Sequence, residues 1–196
     1  MAKTERLKEK MREQRKLSLE EKCETDLQNP ILKEGMARLL KLCRELKMKP
    51  SWYHGTSYKC YYKKQVVAYM SVYNDKCHIQ VATISAADNS CRNNVSDFVR
   101  MLDDGMKAEF VSHFEPCRHF AENQISCSPY CDVEVDGNVY TAVAKKTKIY
   151  TIKNPTTEQF EWIEKFIHAR RKYIDTAAIC VFSSIKFITY YSCGTI

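Results

Sequence analysis

A chain of 196 residues, 44% apolar and 28% charged, is long enough to bury one substantial core and excludes disorder as the default state. Its formal charge of +7 sits mostly at the front: residues 1–50 hold 14 Lys/Arg against 9 Asp/Glu, leaving 17 against 15 for the remainder. A surplus that modest is first of all a solvated helix face, so charge alone does not point to nucleic acid or to a membrane. Ten cysteines behind a highly charged start with no apolar leader read as reduced thiols or metal ligands of a cytoplasmic protein, not as a secreted disulfide framework.

Residues 3–26 read as a helical arm whose thin apolar stripe (Leu7, Met11, Leu17, Leu19) predicts loose attachment. Residues 1–28 are accordingly expected to be removable without loss of the fold. Asn29-Pro30 caps the next helix, Ile31–Lys47, which places Leu32, Met36, Leu39, Leu40, Cys43 and Leu46 on one core-facing stripe. Pro50 ends it.

Three antiparallel strands follow, Tyr58–Tyr62, Gln65–Tyr73 and Lys76–Ile84, joined by Lys63-Lys64 and Asn74-Asp75. The second turn sets Val72 opposite Cys77, Met70 opposite Ile79 and Ala68 opposite Val81. With Tyr61 opposite Val66, strict alternation makes these one apolar face. The other face then carries Tyr58, Cys60, Tyr62, Val67, Tyr69, His78 and Gln80. It reads either as a ring-covered surface under a helix or as the wall of a pocket. In the second case Trp52, Tyr58, Tyr62, Tyr69, His78 and Gln80 are the candidate ligand-binding residues.

Short helices are expected near Val95–Leu102 and Asp104–His113, then a cysteine-bearing loop, 114–131. A hairpin turns at Asp136-Gly137 between Val133–Val135 and Asn138–Val143, and a strand follows at Ile149–Ile152. Asn154-Pro155 opens a helix with Phe160, Ile163, Phe166 and Ile167 facing the core and Arg170-Arg171-Lys172 in its last turn, where cations suit the helix dipole. Ala177–Phe182 and Ile185–Tyr191 flank Ser183-Ser184 as a terminal hairpin. A membrane anchor is the poorer reading there, because Lys186 interrupts a run that is already short. The expected organisation is an arm (1–29), one α+β domain (30–174) built on a five- to six-stranded antiparallel sheet, and an apolar tail or hairpin (175–196).

Cys117, His119, Cys127 and Cys131 form the concentrated chemical signal. Three thiolates and an imidazole suit a closed structural zinc site, although no C-x-x-C pair is present and loop thiols without a metal fit the same spacing. Elsewhere G-x-S-x-G, Walker, G-x-G-x-x-G and H-E-x-x-H motifs are all missing. A Cys60–His78 pair is the remaining nucleophile–base candidate, with nothing to orient the imidazole.

The run from Trp52-Tyr53 through Tyr58-Lys59-Cys60-Tyr61-Tyr62-Lys63 resembles small cytosolic proteins of clostridia and related gut bacteria. The cysteine-bearing loop after a Phe-containing helix and the segment N-P-T-T-E-Q-F-E-W-I-E-K-F-I-H-A-R-R share that resemblance. It spans about residues 31–173 and implies a domain with a Cys-rich loop but no assigned activity. In that family the loop carries a C-x-x-C pair; here Phe120 stands where the second Cys would fall. The functions expected from the whole sequence are therefore a non-catalytic module binding a small ligand or protein partner on the Tyr-rich face, a nucleic-acid binder using the basic arm and exposed aromatics, or a thiol-dependent enzyme.

Overall fold

A computed structural model describes the backbone of residues 17–82, 91–114, 130–144 and 149–190, and their side chains except at 91–94, 96, 130–132, 142–144, 149 and 177–190. The fold is α+β: a five-stranded antiparallel sheet with helices, and a separate two-stranded sheet.

The charged arm does not hang loose from Leu17 onward. Helix α1 (Leu19–Asp26) begins at a capping box in which Ser18 Oγ accepts from the Glu21 amide while Glu21 Oε2 accepts from the Ser18 amide at 2.7 Å. Its apolar residues are few but well placed: Leu19 and Leu27, just past its end, are fully buried, and Cys23 nearly so. The link to α2 (Pro30–Glu45) is gripped from the sheet. Asp75 Oδ1 accepts from the amides of Gln28 and Asn29 at 2.7 and 2.8 Å, and the Asp75 amide donates to the Asp26 carbonyl. Those amides hold the Asp75 carboxyl below its ordinary range. Along α2 the expected stripe is buried, from Leu32 through Cys43. A Cβ on Gly35 would run into the Phe160 ring, so the absent side chain is what lets α2 approach the last helix closely.

The large sheet runs β1 (Lys49–His54), β2 (Ser57–Tyr62), β3 (Gln65–Tyr73), β4 (Lys76–Ala82), then β7 (Ile149–Lys153) against β4. Strand β1 is additional to the expected three, Pro50 notwithstanding; proline is tolerated on an edge strand, where this one lies. Asn74-Asp75 and Lys63-Lys64 both adopt positive φ, the geometry of tight hairpins. The β3–β4 register is as expected, with Met70 opposite Ile79 and Val72 opposite Cys77.

Between β2 and β3 the alternation breaks. Cys60 pairs with Ala68 and Tyr61 with Val66, which leaves Val67 as an extra residue, a β-bulge. Val67 and Ala68 are both fully buried, and everything beyond them changes side. The inner face, covered by helices, therefore carries Tyr58, Cys60, Tyr62, Gln65, Met70, Val72, Cys77, Ile79, Val81, Tyr150 and Ile152. Tyr61 and Val66, assigned to the apolar face by strict alternation, belong to the outer one, and Tyr61 is exposed.

Helices α3 (Cys91–Arg100) and α4 (Asp104–Ser112) meet the core through Phe98 and Phe110, whose rings stack edge-on at 6.2 Å; Asp103 caps α4 by accepting from the Met106 amide. The hairpin β5 (Tyr130–Val135) and β6 (Asn138–Ala144) turns at Asp136-Gly137 as expected and is tied to α4 by Lys107 Nζ on Asp136 at 2.9 Å. Asn154 does not cap the last helix. It clips β7 to β4 instead, its Oδ1 accepting from the Cys77 amide and its own amide donating to the Cys77 carbonyl. Thr156 and Gln159 make the capping box of α5 (Thr157–Tyr190). That helix runs straight through Ser183-Ser184, so the expected terminal hairpin is replaced by helix and Arg170–Lys172 lie mid-helix. A two-residue Ser pair carries no positive-φ requirement, and helix already under way extends more easily than a hairpin nucleates. No helix among the described residues is long and apolar enough to cross a membrane.

Candidate functional site

The six expected ligand-binding residues divide between the two faces. Tyr58 is buried, and its hydroxyl donates to the Leu17 carbonyl at 3.0 Å, anchoring the start of α1. Tyr62 lies under α5, donating to Asp175 Oδ1 at 2.9 Å, with the Arg171 guanidinium over its ring. Trp52 pairs with Tyr58 and donates from Nε1 to the Gly55 carbonyl. These three serve the inner side. Tyr69, His78 and Gln80 remain together on the outer face, in the rows Lys59–Tyr69–Gln80–Thr151 and Ser57–Ser71–His78–Lys153.

Strand β1, missed from the sequence, completes that outer surface. Lys59 Nζ lies 3.4 Å from the centroid of the Tyr53 ring and 5.4 Å from that of Tyr69, and the two rings meet edge-on at 6.3 Å. Tyr61 and Tyr73 are also exposed here, and Ser57 and Ser71 share a hydroxyl contact of 2.8 Å. Burial, with Lys153 adding to it, holds the His78 imidazole below its ordinary value, and its Nε2 has no hydrogen-bond partner among the described residues. Outward positions of the five strands thus carry Tyr53, Tyr61, Tyr69 and Tyr73 beside Lys49, Lys59, Lys76 and Lys153, and none of the five strands contains an Asp or a Glu. The nearest turn carboxylate, Asp75, is committed to the backbone of Gln28 and Asn29.

Two further clusters escaped the sequence reading. A cleft of about 580 Å³ along α5 is lined by Met101, Met106, Lys165, His168, Arg171 and Lys172 among others; residues three and four apart share a helix face, a spacing that could have signalled it. On α4, Glu109 Oε1 accepts from the Tyr150 hydroxyl at 2.7 Å and contacts His113 Nε2 at 3.0 Å. Burial and that bond push the Tyr150 phenol up, so it stays protonated and works as a tether.

The thiol reading has no support in Cys23, Cys60 or Cys77; Cys43, held below its ordinary value by its contact with Cys60, is fully buried and away from any described base. Cys60 and His78 stand on opposite faces of the sheet, because the bulge turns Cys60 inward. Contact with Cys43, whose sulfur is 4.0 Å away, and burial hold the Cys60 thiol well above its ordinary value. Burial pushes Cys23 and Cys77 up to about 12. Such thiols are inert near neutral pH. Of the expected zinc ligands, Cys117, His119 and Cys127 lie outside the described residues; Cys131 stands in β5, with its side chain outside them as well.

No protein-family model, curated protein or solved structure matches this chain. The functional reading therefore rests on the geometry alone.

Proposed function

We propose that the protein is a non-catalytic binding module whose ligand lies across the outer face of the five-stranded sheet, centred on Tyr53, Lys59, Tyr69 and Gln80. The carrying observation is the composition of that face: exposed and half-exposed rings interleaved with lysines, on strands free of carboxylates. A face kept only for solvent needs neither four tyrosines nor a single sign of charge, since sheet surfaces ordinarily mix charges for solubility. Flat rings with a cation between them favour a planar, electron-rich or anionic ligand. The cleft along α5 is the competing location. There, Arg171 is drawn toward Asp175 and Tyr62, and Lys165 lies over Trp162, so part of its charge is already used by the protein.

Amide-shift mapping of the full chain against small planar aromatic acids tests this reading. Shifts should centre on Tyr53, Lys59, Tyr69 and Gln80. Shifts confined to Met106, Lys165 and His168 would move the site to the α5 cleft and overturn the proposal. A structural zinc held by Cys117, His119, Cys127 and Cys131 is a separate proposal, tested by metal analysis of the purified protein.

A further inference from the structure

Taking the outer sheet face as the binding surface, we infer that its ligand is single-stranded nucleic acid, bound by base stacking on Tyr53 and Tyr69 with Lys59 and its neighbouring lysines on the phosphates.

The pattern of chemistry selects this occupant. Unstacked bases offer π-faces, and proteins that take single strands set aromatic rings for the bases beside cations that follow the backbone. Tyr53 and Tyr69 lie on β1 and β3, with Lys59 on β2 between them. Ring and cation thus alternate across the strands within one ligand's reach. Lys49 and Lys76, at the exposed ends of β1 and β4, and Lys153 on the β7 edge extend the positive field in opposite directions. Without a carboxylate on the five strands, a polyanion meets no negative side chain on the strands themselves. A folded acidic protein would answer the charge but not the rings. A duplex would answer the charge and keep its bases stacked out of reach.

Magnitudes allow the exchange. In the free protein Lys59 covers one side of the Tyr53 ring, and an exposed cation–π contact is worth about 0.5–1 kcal/mol. Base–aromatic stacking contributes about 1–3 kcal/mol per base. A base can therefore take the ring from the lysine, whose flexible stem then carries its charge to the adjacent phosphate. Discrimination among bases has its own candidate: Gln80 lies on the same row as Tyr69, within the span of a stacked base's edge.

Fluorescence anisotropy of the full chain with labelled oligothymidylate and oligouridylate of about ten nucleotides, a length within the usual range for such sites, tests this. A single strand should bind at low salt and weaken steeply as salt rises. Y53A and Y69A should each weaken it about tenfold, while Y53F and Y69F retain it, because the ring face and not the hydroxyl stacks. K59Q should lower the slope of log affinity against log salt by about one. Equal binding of duplex, equal displacement by heparin, or indifference to both alanine substitutions would overturn the inference. If oligonucleotides fail while aromatic acids still shift the Tyr53 and Tyr69 amides, the binding face stands and only its ligand class falls. If neither perturbs those amides, both readings fall together.

Discussion

The two faces of the five-stranded sheet are made by the same strands under opposite rules. Inside, side chains are chosen by volume: Met70, Val72, Ile79 and Val81 are fully buried, and the polar atoms that enter are tethered, as Tyr58 is to Leu17 and Tyr62 to Asp175. Outside, the neighbours of those residues in the chain are tyrosine, lysine, serine and glutamine, half open, with one imidazole nitrogen left without a described partner. A sheet needed only for stability can leave its second face plain. Here the second face is the more specified of the two in chemical type, and that asymmetry supports placing the proposed function on it.

The largest test of the comparison removes residues 1–28. Truncation strips Leu19, Cys23 and Leu27 from the inner core and the Gln28 amide from Asp75. Burial of apolar side chains contributes about 1.5–3 kcal/mol each, so roughly 5 kcal/mol goes with the segment, comparable to the whole stability of many domains. Cooperative urea unfolding should disappear, contrary to the expectation drawn from the thin apolar stripe. A sharp transition in the truncated chain would show that the arm only rests on the sheet.

Next in size is the contrast between adjacent residues of one strand. M70A should cost about 3 kcal/mol in urea unfolding, as large-to-small changes in cores do. Y69A, one position away, should cost about 1 kcal/mol or less, a cross-strand pair at an open surface. Equal costs would mean that both faces are core, leaving no surface free for a ligand.

A smaller effect is expected at the β3–β4 turn. D75A removes the acceptor for Gln28 and Asn29 and should lower the midpoint of unfolding, whereas D75N, which keeps one carbonyl oxygen, should lower it less. The pH sign follows from the depressed carboxyl. The Asp75 contribution is present above the usual carboxylate range and is lost as pH falls through its lower folded value. Below that value, native protein and D75A should converge; persistence of the full difference there would mean that the charge plays no part.

Much of this was legible in the residues, and the failures have physical causes. Hairpin turns were readable because Asn74-Asp75 and Asp136-Gly137 tolerate positive φ, and α2 was readable because six apolar residues recur at helical spacing. Face assignment failed at one point only. Val67 is β-branched and apolar, equally at home in a regular strand or in a bulge, so nothing in its identity announced the extra residue that moved Tyr58, Cys60 and Tyr62 inward and Tyr61 outward. Helix α1 was undervalued because three well-placed contacts, not a continuous stripe, hold it. The terminal helix was misread as a hairpin because β-branched and aromatic residues there favour strands locally, a weak preference that context overrides. Strand β1 was hidden by Pro50 and by the shortness of the segment between two stronger signals. With it went Tyr53, the ring that joins Lys59 and Tyr69 in the proposed site.

The finest test concerns His78, the polar residue of the outer face with least provision for its own charge. Burial and then Lys153 hold its imidazole below the ordinary value, so the folded protein keeps it neutral where the unfolded chain would already take up a proton. A depressed histidine contributes nothing to the pH dependence above the unfolded value, near 6.5, because both states are then neutral. As pH falls below it, the unfolded chain binds the proton first and stability declines. The decline stops once pH passes the folded value, where both states are charged. Native protein should thus lose melting temperature between about pH 7 and 5, and H78Q, which keeps a polar side chain without a titrating group, should lose less over the same interval. Subtracting the two profiles removes whatever the residues common to both proteins contribute. If the inferred single-stranded nucleic acid extends over His78, adding an oligonucleotide should shrink that difference at the acid end, because a phosphate nearby favours the charged imidazole. An unchanged difference in saturating oligonucleotide would place the strand away from the Ser57–Ser71–His78 row and confine it to the Tyr53–Lys59–Tyr69 side of the face.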